Sequence, residues 1–345
     1  MTGPAAEPAK SWSPSQLSAQ VERYPINGAF TIARGSKTEA EVVVATISDL
    51  DREGDAAARG WAESVPYGRY DETPASVLAQ IDSVGEALMA DGDRVRLQSR
   101  LPPGAARNAL DCALWDLQSR RMRRRVWSLA GLPPPRPVTT AFTLSLAAPE
   151  IMAAAARAAA DRPILKLKLG GADDIARVAA VRAAAPRSTL LVDANEALDF
   201  DTLRRLLPEL RRLGVALIEQ PLKAGADDDL KGFRSPVPLF ADESLHTRAE
   251  LADCVERYDG VNIKLDKAGG LTEAIALMSE ARALGLQTMV GCMVATSLSM
   301  APALLLASQA DFVDLDGPLL LAEDRTPSLI YCGSVIEPPP AGLWG

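Results

Sequence analysis

The sequence predicts a TIM-type (β/α) barrel joined to an N-terminal α+β capping domain that the C-terminal segment completes. Three observations predict it. From residue 138 onward, short β-rich runs alternate with helical runs rich in Ala, Leu and Arg, the pattern of parallel βα units. The β-rich runs number eight, enough to close a barrel with right-handed connections. The polar residue near the C-terminal end of each run recurs every 22 to 28 residues, so each unit delivers one side chain to the same rim.

Residues 1–16, MTGPAAEPAKSWSPSQ, are Ala/Pro/Ser-rich without an apolar signal core, and a disordered tail is expected there. Residues 17–137 place strands and helices in separate blocks, an α+β pattern. VERYPINGAFTIARGSKTEAEVVVATISDL holds two alternating β-runs around Arg34-Gly35. Helical patterns follow at TPASVLAQIDSVGEALM and AARNALDCALWDLQSRR. The basic run RRMRRRVW closes the second of these, where cations are favourable. AGLPPPRPV, Ala130 to Val138, is a Pro-rich boundary. The barrel is expected over 138–326, with strands in TTAFTLS, ILKLKLG, TLLVDAN, VALIEQP, PLFADES, GVNIKLD, QTMVGCM and FVDLDGP. Residues 327–345 are too short for a domain and are expected to pack back on the capping domain.

The 345 residues are 48% hydrophobic and 24% charged, an ordinary globular composition with ample length for a large core. A net charge of -8 argues against a nucleic-acid or anionic-membrane partner. No apolar run is long enough to span a bilayer. The four cysteines are scattered, with neither disulfide nor metal spacing, and fit a reducing cytoplasm. His246 is the only histidine, so neither a His-based triad nor a zinc site is expected.

The residues in phase at the rim are Thr143, Lys168, Asp193, Glu219, Asp242, Lys264, Cys292 and Asp314. In ILKLKLGG, Lys166 and Lys168 point to one face of a strand whose helical flanks indicate burial on both faces. A buried lysine loses solvation and its pKa falls, which makes it a base near neutral pH. Asp193, Glu219 and Asp242 lie on three consecutive strands, and crowded carboxylates repel one another. An all-oxygen set of this kind suits Mg²⁺ or Mn²⁺. Taken singly, each carboxylate is as readily a helix cap or a rim ion pair; eight residues in phase carry the functional reading. Lys168 and Lys264 flank the carboxylates. That arrangement suits removal of a proton next to a substrate carboxylate, with the cation stabilising the enediolate. One lysine takes the proton, and the lysine on the opposite face returns one, inverting the carbon. Lys166, Lys267 and the cation are expected to depress the pKa of the base.

KLK, VDAN, IEQP, ADES and NIK…KxGG, in this order, resemble the enolase superfamily in its muconate-lactonizing subgroup. Within it the chain is similar to the L-Ala-D/L-Glu dipeptide epimerases, through FTIARGSKTEAE, PYGRYDE, GCMVATS and DLDGP. The resemblance implies that Asp193, Glu219 and Asp242 bind Mg²⁺ and that Lys168 and Lys264 are the acid/base pair. It implies that Lys166 positions the substrate carboxylate, and that Asp314 and Asp316 pair with the dipeptide's α-ammonium. Arg34 would hold the glutamate side-chain carboxylate, Glu243 would help orient the site, and Thr143, Cys292 and Val294 match further pocket positions. Ala295 stands where many relatives carry a glutamate. The rival reactions on this frame are cycloisomerisation, o-succinylbenzoate synthesis and N-acylamino acid racemisation. Their substrates carry no ammonium and would leave Asp314 and Asp316 unpaired. A barrel that only binds a ligand would show a broken acid/base or metal set. The expected partner is a small dipeptide, in murein peptide recycling; oligomeric state is left open, a homo-oligomer included.

Overall fold

The computed structural model describes residues 14–49 and 58–345. Most of the expected N-terminal tail lies outside the described residues, and Gln16 already opens a strand. The two alternating runs around Arg34-Gly35 form a long antiparallel hairpin, β1 (Gln16–Ile32) and β2 (Gly35–Ser48). Its register shifts between Pro25 and Phe30. A third strand, β3 (Arg59–Ser64), pairs with β2. It was not legible in the sequence, being six residues long with Gly60 and charges breaking the alternation. Helix α1 (Pro74–Asp91) starts at a Thr73–Ser76 capping box, and Asp93 caps α2 (Arg94–Arg100). Helix α3 (Ala105–Met122) is buried on nearly every side, because the sheet covers one face and the barrel another. It ends at Arg123 in the left-handed conformation, with Arg120 and Arg121 in the last turn as the basic run predicts. A short α4 (Val126–Leu129) follows.

After β4 (Val138–Thr139) come the eight strands of one parallel sheet. They are β5 (Phe142–Leu144), β6 (Ile164–Lys168), β7 (Thr189–Asp193), β8 (Val215–Glu219), β9 (Leu239–Ala241), β10 (Gly260–Ile263), β11 (Gln287–Gly291) and β12 (Phe312–Asp314). Each lies beside its predecessor in the chain, and Ala141 N donates to Val313 O at 2.8 Å, joining the last strand to the first. The outer helices are α5 (Pro149–Ala158), α6 (Asp174–Ala184), α7 (Phe200–Arg212), α8 (Leu251–Arg257), α9 (Leu265–Ala268), α10 (Leu271–Ala283), α11 (Ser297–Ala307) and α12 (Gly317–Leu320). Ala141, Leu191, Leu217, Phe240 and Met289 form a separate apolar layer within the strands. Gly260 makes room for the Phe240 ring there, since a Cβ would stand 2.5 Å from it.

The C-terminal segment does close on the capping elements, as expected. Trp61 Nε1 donates to Leu343 O at 2.7 Å, Trp344 Nε1 to Cys112 O at 3.1 Å, and Gly345 N to Asp116 Oδ1 at 2.9 Å. It also serves the barrel entry, where the hairpin β13 (Tyr331–Cys332) and β14 (Val335–Ile336) pairs with β4. The four cysteines are free. Among the described residues no helix is long and apolar enough to cross a membrane.

The contact between β3 and α3 is tight. A Cβ on Gly60 would stand 2.3 Å from both Ala113 O and Leu117 N, which are backbone atoms that cannot rotate away. Gly60→Ala is predicted to lower the unfolding free energy by about 3 kcal/mol, measured by urea denaturation. Wild-type stability in that variant would contradict the packing described.

Candidate active site

Register brings the first charged side chains to one level. Lys168 pairs with Asp193 across β6–β7, and Asp193 with Glu219 across β7–β8. Asp242 and Lys264 follow just beyond the ends of β9 and β10. The result is a chain of alternating charge. Lys168 Nζ lies 2.6 Å from Asp193 Oδ2. Lys166 Nζ lies 3.3 Å from the same oxygen and 2.6 Å from both Glu219 Oε2 and Asp314 Oδ2. Lys264 Nζ lies 3.9 Å from Glu219 Oε1 and 2.7 Å from Asp242 Oδ2. Lys267 Nζ lies 2.6 Å from Asp242 Oδ1 and donates to Asn262 O at 3.1 Å. All eight of these residues are buried. A single charge at such depth costs several kcal/mol, and alternation offsets that cost.

The electrostatics follow from the same neighbours. Burial pushes the Glu219 carboxyl up, and the Asp193 charge adds to it, reaching about 7 despite Lys166. Burial also opposes ionisation of Asp242, yet Lys264 and Lys267 outweigh it and hold that carboxyl well below its ordinary range. The Asp193 pKa is likewise lowered, Lys168 and Lys166 outweighing burial. Burial lowers the Lys267 pKa, with Asp242 offsetting only part of the effect. The expected depression of the bases counts on a bound cation as well as on Lys166 and Lys267; the side chains by themselves do not depress Lys264. Burial pulls its pKa down, but Asp242 and Glu219 outweigh burial and raise it. Lys166 is raised for the same reason, burial losing to Asp314, Glu219 and Asp193.

Above this chain is a cavity of about 660 Å³. Lys166, Lys168, Asp242 and Lys264 border it, together with Thr143, Cys292, Val294, Asp314 and Asp316, so the structure brings most of the sequence candidates together. Asp193 and Glu219 are fully buried (0% exposed) and touch the lysines that border it. Asp316 does not reach the rim by strand alternation as expected. Strand β12 stops at Asp314, and Asp316 is the residue before α12, where its Oδ2 accepts from Thr143 N at 2.6 Å. Burial and the neighbouring Asp314 raise its pKa to about 6. Burial, then Asp314 and Asp316, push the Cys292 thiol well up, so it stays protonated.

Arg34, on the hairpin tip, borders the cavity and is already bonded on several sides. Its guanidinium donates to Asn195 O at 2.8 Å, Glu196 Oε2 at 3.1 Å, Tyr67 OH at 2.8 Å and Glu243 Oε1 at 2.7 Å. Glu243 therefore engages Arg34. Glu196 also takes both Arg69 nitrogens at 2.7 Å. Sequence reasoning missed Glu196, Tyr67 and Asn262. Asn195 and Glu196 both adopt positive φ, +44° and +69°, a bend that no helix or strand period reveals. Asn262 donates to Glu219 Oε1 at 2.8 Å, and its place one turn of the pleat before Lys264 was the available signal.

In chemistry, though not in spacing, the three carboxylates suit a hard divalent cation. The three carboxylates are all oxygen, all buried, and carry enough mutual repulsion to raise Glu219. Glu219 Oε2 and Asp242 Oδ1 face ammonium nitrogens without hydrogen-bond alignment. Among the described residues no three acidic, His or Cys groups are gathered at ligating separation; ammonium groups link the carboxylates.

Residues 17–131 match the N-terminal domain of the mandelate racemase / muconate lactonizing enzyme family, and residues 150–324 match the family described as enolase C-terminal domain-like. The chain belongs to the enolase superfamily. It is 48% identical to the L-Ala-D/L-Glu epimerase of Escherichia coli (strain K12), over 90% of this chain and 95% of that one. It is also 48% identical to an N-acetyl-D-glutamate racemase of a Pseudoalteromonas species, over 83% of this chain and 91% of that one. Among solved structures it is similar to an enolase family member from Agrobacterium tumefaciens with homology to dipeptide epimerases, solved with bound sodium and L-Ala-L-Glu. The TM-score is 0.91 at 49% identity, covering 95% of this chain and 99% of that one. A dipeptide epimerase from Enterococcus faecalis V583, 26% identical over 95% of this chain and 98% of that one with a TM-score of 0.86, has been solved with Mg and the dipeptide L-Leu-L-Tyr.

The raised carboxyls make a stability prediction. Glu219 at about 7, Asp266 at about 7 and Asp316 at about 6 all lie above their ordinary values of 4.5, 3.8 and 3.8. At these three groups the folded state holds protons that the unfolded state has released, so their contribution to stability falls as pH rises from about 4 to about 7, against the single opposing slope of His246, which burial lowers to about 4. The slope is at most about 1.4 kcal/mol per pH unit for each group. In EDTA, denaturant unfolding should show lower stability at pH 7.5 than at pH 5. Mg²⁺ should stabilise more at pH 7.5, where Glu219 has released its proton. A Mg²⁺ effect independent of pH would contradict the link between Glu219 and the cation.

Proposed function

We propose that this isomerase is a Mg²⁺-dependent dipeptide epimerase that inverts the glutamate α-carbon of L-Ala-L/D-Glu by two-base 1,1-proton transfer. The observation that carries the reading is the position of Lys168 and Lys264 at either side of the buried carboxylates, in a chain so similar to an L-Ala-D/L-Glu epimerase. Asp193, Glu219 and Asp242 would hold the cation, whose positive charge acidifies the proton next to the substrate carboxylate. One lysine breaks the Cα–H bond and keeps the proton, leaving the electron pair delocalised into the carboxylate as an enediolate. The other lysine gives its proton to the opposite face. Which of them acts first depends on the epimer bound. Lys166 supplies a fixed charge for the substrate carboxylate, and Asp314 with Asp316 receives the free α-ammonium. The Phe30 ring lies 5.7 Å from Lys168 Nζ, on the cavity wall beside that base. We read the setting as recycling of peptidoglycan peptides in the cytoplasm, a compartment that the four free thiols support.

The relative named N-acetyl-D-glutamate racemase favours a second reading, racemisation of an N-acylated glutamate on the same lysines. The aspartate pair separates the two readings, because an acylated nitrogen carries no charge to meet it.

Proton NMR of L-Ala-L-Glu in D₂O with the protein and Mg²⁺ should show loss of the glutamate α-proton and appearance of L-Ala-D-Glu. Lys168→Ala and Lys264→Ala should each lower kcat by roughly 10²- to 10⁴-fold or more. Full activity in either variant would sink the two-base mechanism. Asp316→Asn should raise KM for the dipeptide roughly tenfold while affecting N-acetylglutamate less. The reverse order would favour the second reading.

A further inference from the structure

We propose that Glu63, a carboxylate of the capping domain, positions the part of the cavity wall that receives the substrate's amino end; this rests on the epimerase reading above. Glu63 sits on β3 and is 1% exposed, yet both of its oxygens turn to the barrel. Oε1 accepts from Thr296 N at 2.8 Å, and Oε2 accepts from the Thr296 hydroxyl, 233 residues further along the chain. Arg325 completes the group. Its guanidinium donates to Glu63 Oε2 at 2.7 Å, to Thr296 Oγ1 at 3.1 Å and to Glu22 Oε2 on β1 at 2.8 Å. A buried carboxylate is costly unless it is paired and hydrogen-bonded, so this one is tied to a single geometry.

Thr296 ends the loop that follows β11. In that loop Cys292, Met293 and Val294 border the cavity, and Ala295 offers only a buried methyl group, so Thr296 supplies the polar anchor. The loop leans on Gly317 without slack. A Cβ there would stand 2.9 Å from Met293 O and 3.1 Å from both Ala295 N and Ala295 O. Gly317 follows Asp316, whose Oδ2 accepts from Thr143 N at 2.6 Å. Glu63 does not border the cavity and thus acts on the aspartate through Thr296, the loop backbone and Gly317. Lys168 and Lys264 belong to other βα units, so the effect falls on binding rather than on proton transfer. Docking of the cap does not hang on this contact alone, because Arg107 and Asp111 reach the segment after Lys264. Helix α11 also keeps its start without Glu63, since Ser297 N donates to Asp324 Oδ1 at 2.9 Å.

The test measures kcat and KM for L-Ala-L-Glu in the full-length protein with Mg²⁺, for wild type, Glu63→Gln, Thr296→Val and Thr296→Ser. It also measures the inhibition constant of N-propionyl-L-Glu, the same molecule without the ammonium. Glu63→Gln and Thr296→Val should each raise KM roughly tenfold and leave kcat within about threefold of wild type. Thr296→Ser, which keeps the hydroxyl, should retain the wild-type KM. The inhibition constant should move less than about threefold in every variant, because no ammonium is there to miss its partner. An unchanged KM in Glu63→Gln overturns the assignment, the carboxylate then only joining the domains. So does an equal weakening of dipeptide and inhibitor, which marks a cavity that has merely loosened. Should Glu63→Gln fail to fold, Thr296→Val decides in the same terms. Wild-type protein inert on the dipeptide overturns the epimerase reading and the assignment with it; the wild-type rate alone tells that outcome from a failure of Glu63.

Discussion

The site depends on alternation of charge. Lys168, Asp193, Lys166, Glu219, Lys264, Asp242 and Lys267 follow one another as cation and anion in turn, each with an oxygen or nitrogen of the next within 4.0 Å. All seven are buried. Removing one leaves its neighbours as uncompensated buried charges, which is the costly state. The arrangement also constrains the sheet. Sliding β6 by one residue would turn both lysines away and present leucines to the carboxylates, so strand register and site are a single requirement.

The capping elements hold that rim through polar contacts of their own. Arg107 donates to Ala268 O and Gly269 O at 2.7 and 3.2 Å, and Asp111 accepts from Thr272 N at 2.9 Å. Asp266 accepts from Val65 N and Asn108 Nδ2 at 2.9 and 2.8 Å. All of these reach the segment that begins at Lys264. On the other side, Arg325 bridges Glu22 and Glu63 at 2.8 and 2.7 Å. Helix α3 is buried all round because it serves the sheet of the cap and the turn carrying one base. Its Asp and Arg side chains, which look like surface residues in the sequence, are the connectors.

Barrel strands were legible because burial on both faces writes them as apolar runs, and because one polar residue, charged in six of the eight, stands near the end of each. The rim set was legible from phase: a single carboxylate there has an ordinary purpose as a cap or ion pair, whereas eight polar residues in step at strand ends do not. Short β3 and α2 were not legible, since six or seven residues with charges and a glycine carry too little period. Contacts between elements distant in sequence were beyond reach too. Arg34 and Glu243 are 209 residues apart, and no local pattern joins them. Desolvation of a lysine can be read from an apolar run, while the Coulombic pull of carboxylates on other strands needs the fold.

Glu196 receives Arg34 from the hairpin tip, Arg69 from the turn after β3, and the Ala224 N–H from the loop after β8. One carboxylate thus fastens three loops at the mouth of the cavity. Arg34 and Arg69 remain partly open to solvent, so dissolved ions compete for the fastening. Salt in the surrounding solution therefore weakens the door of the cavity before it reaches the buried pairs of the rim.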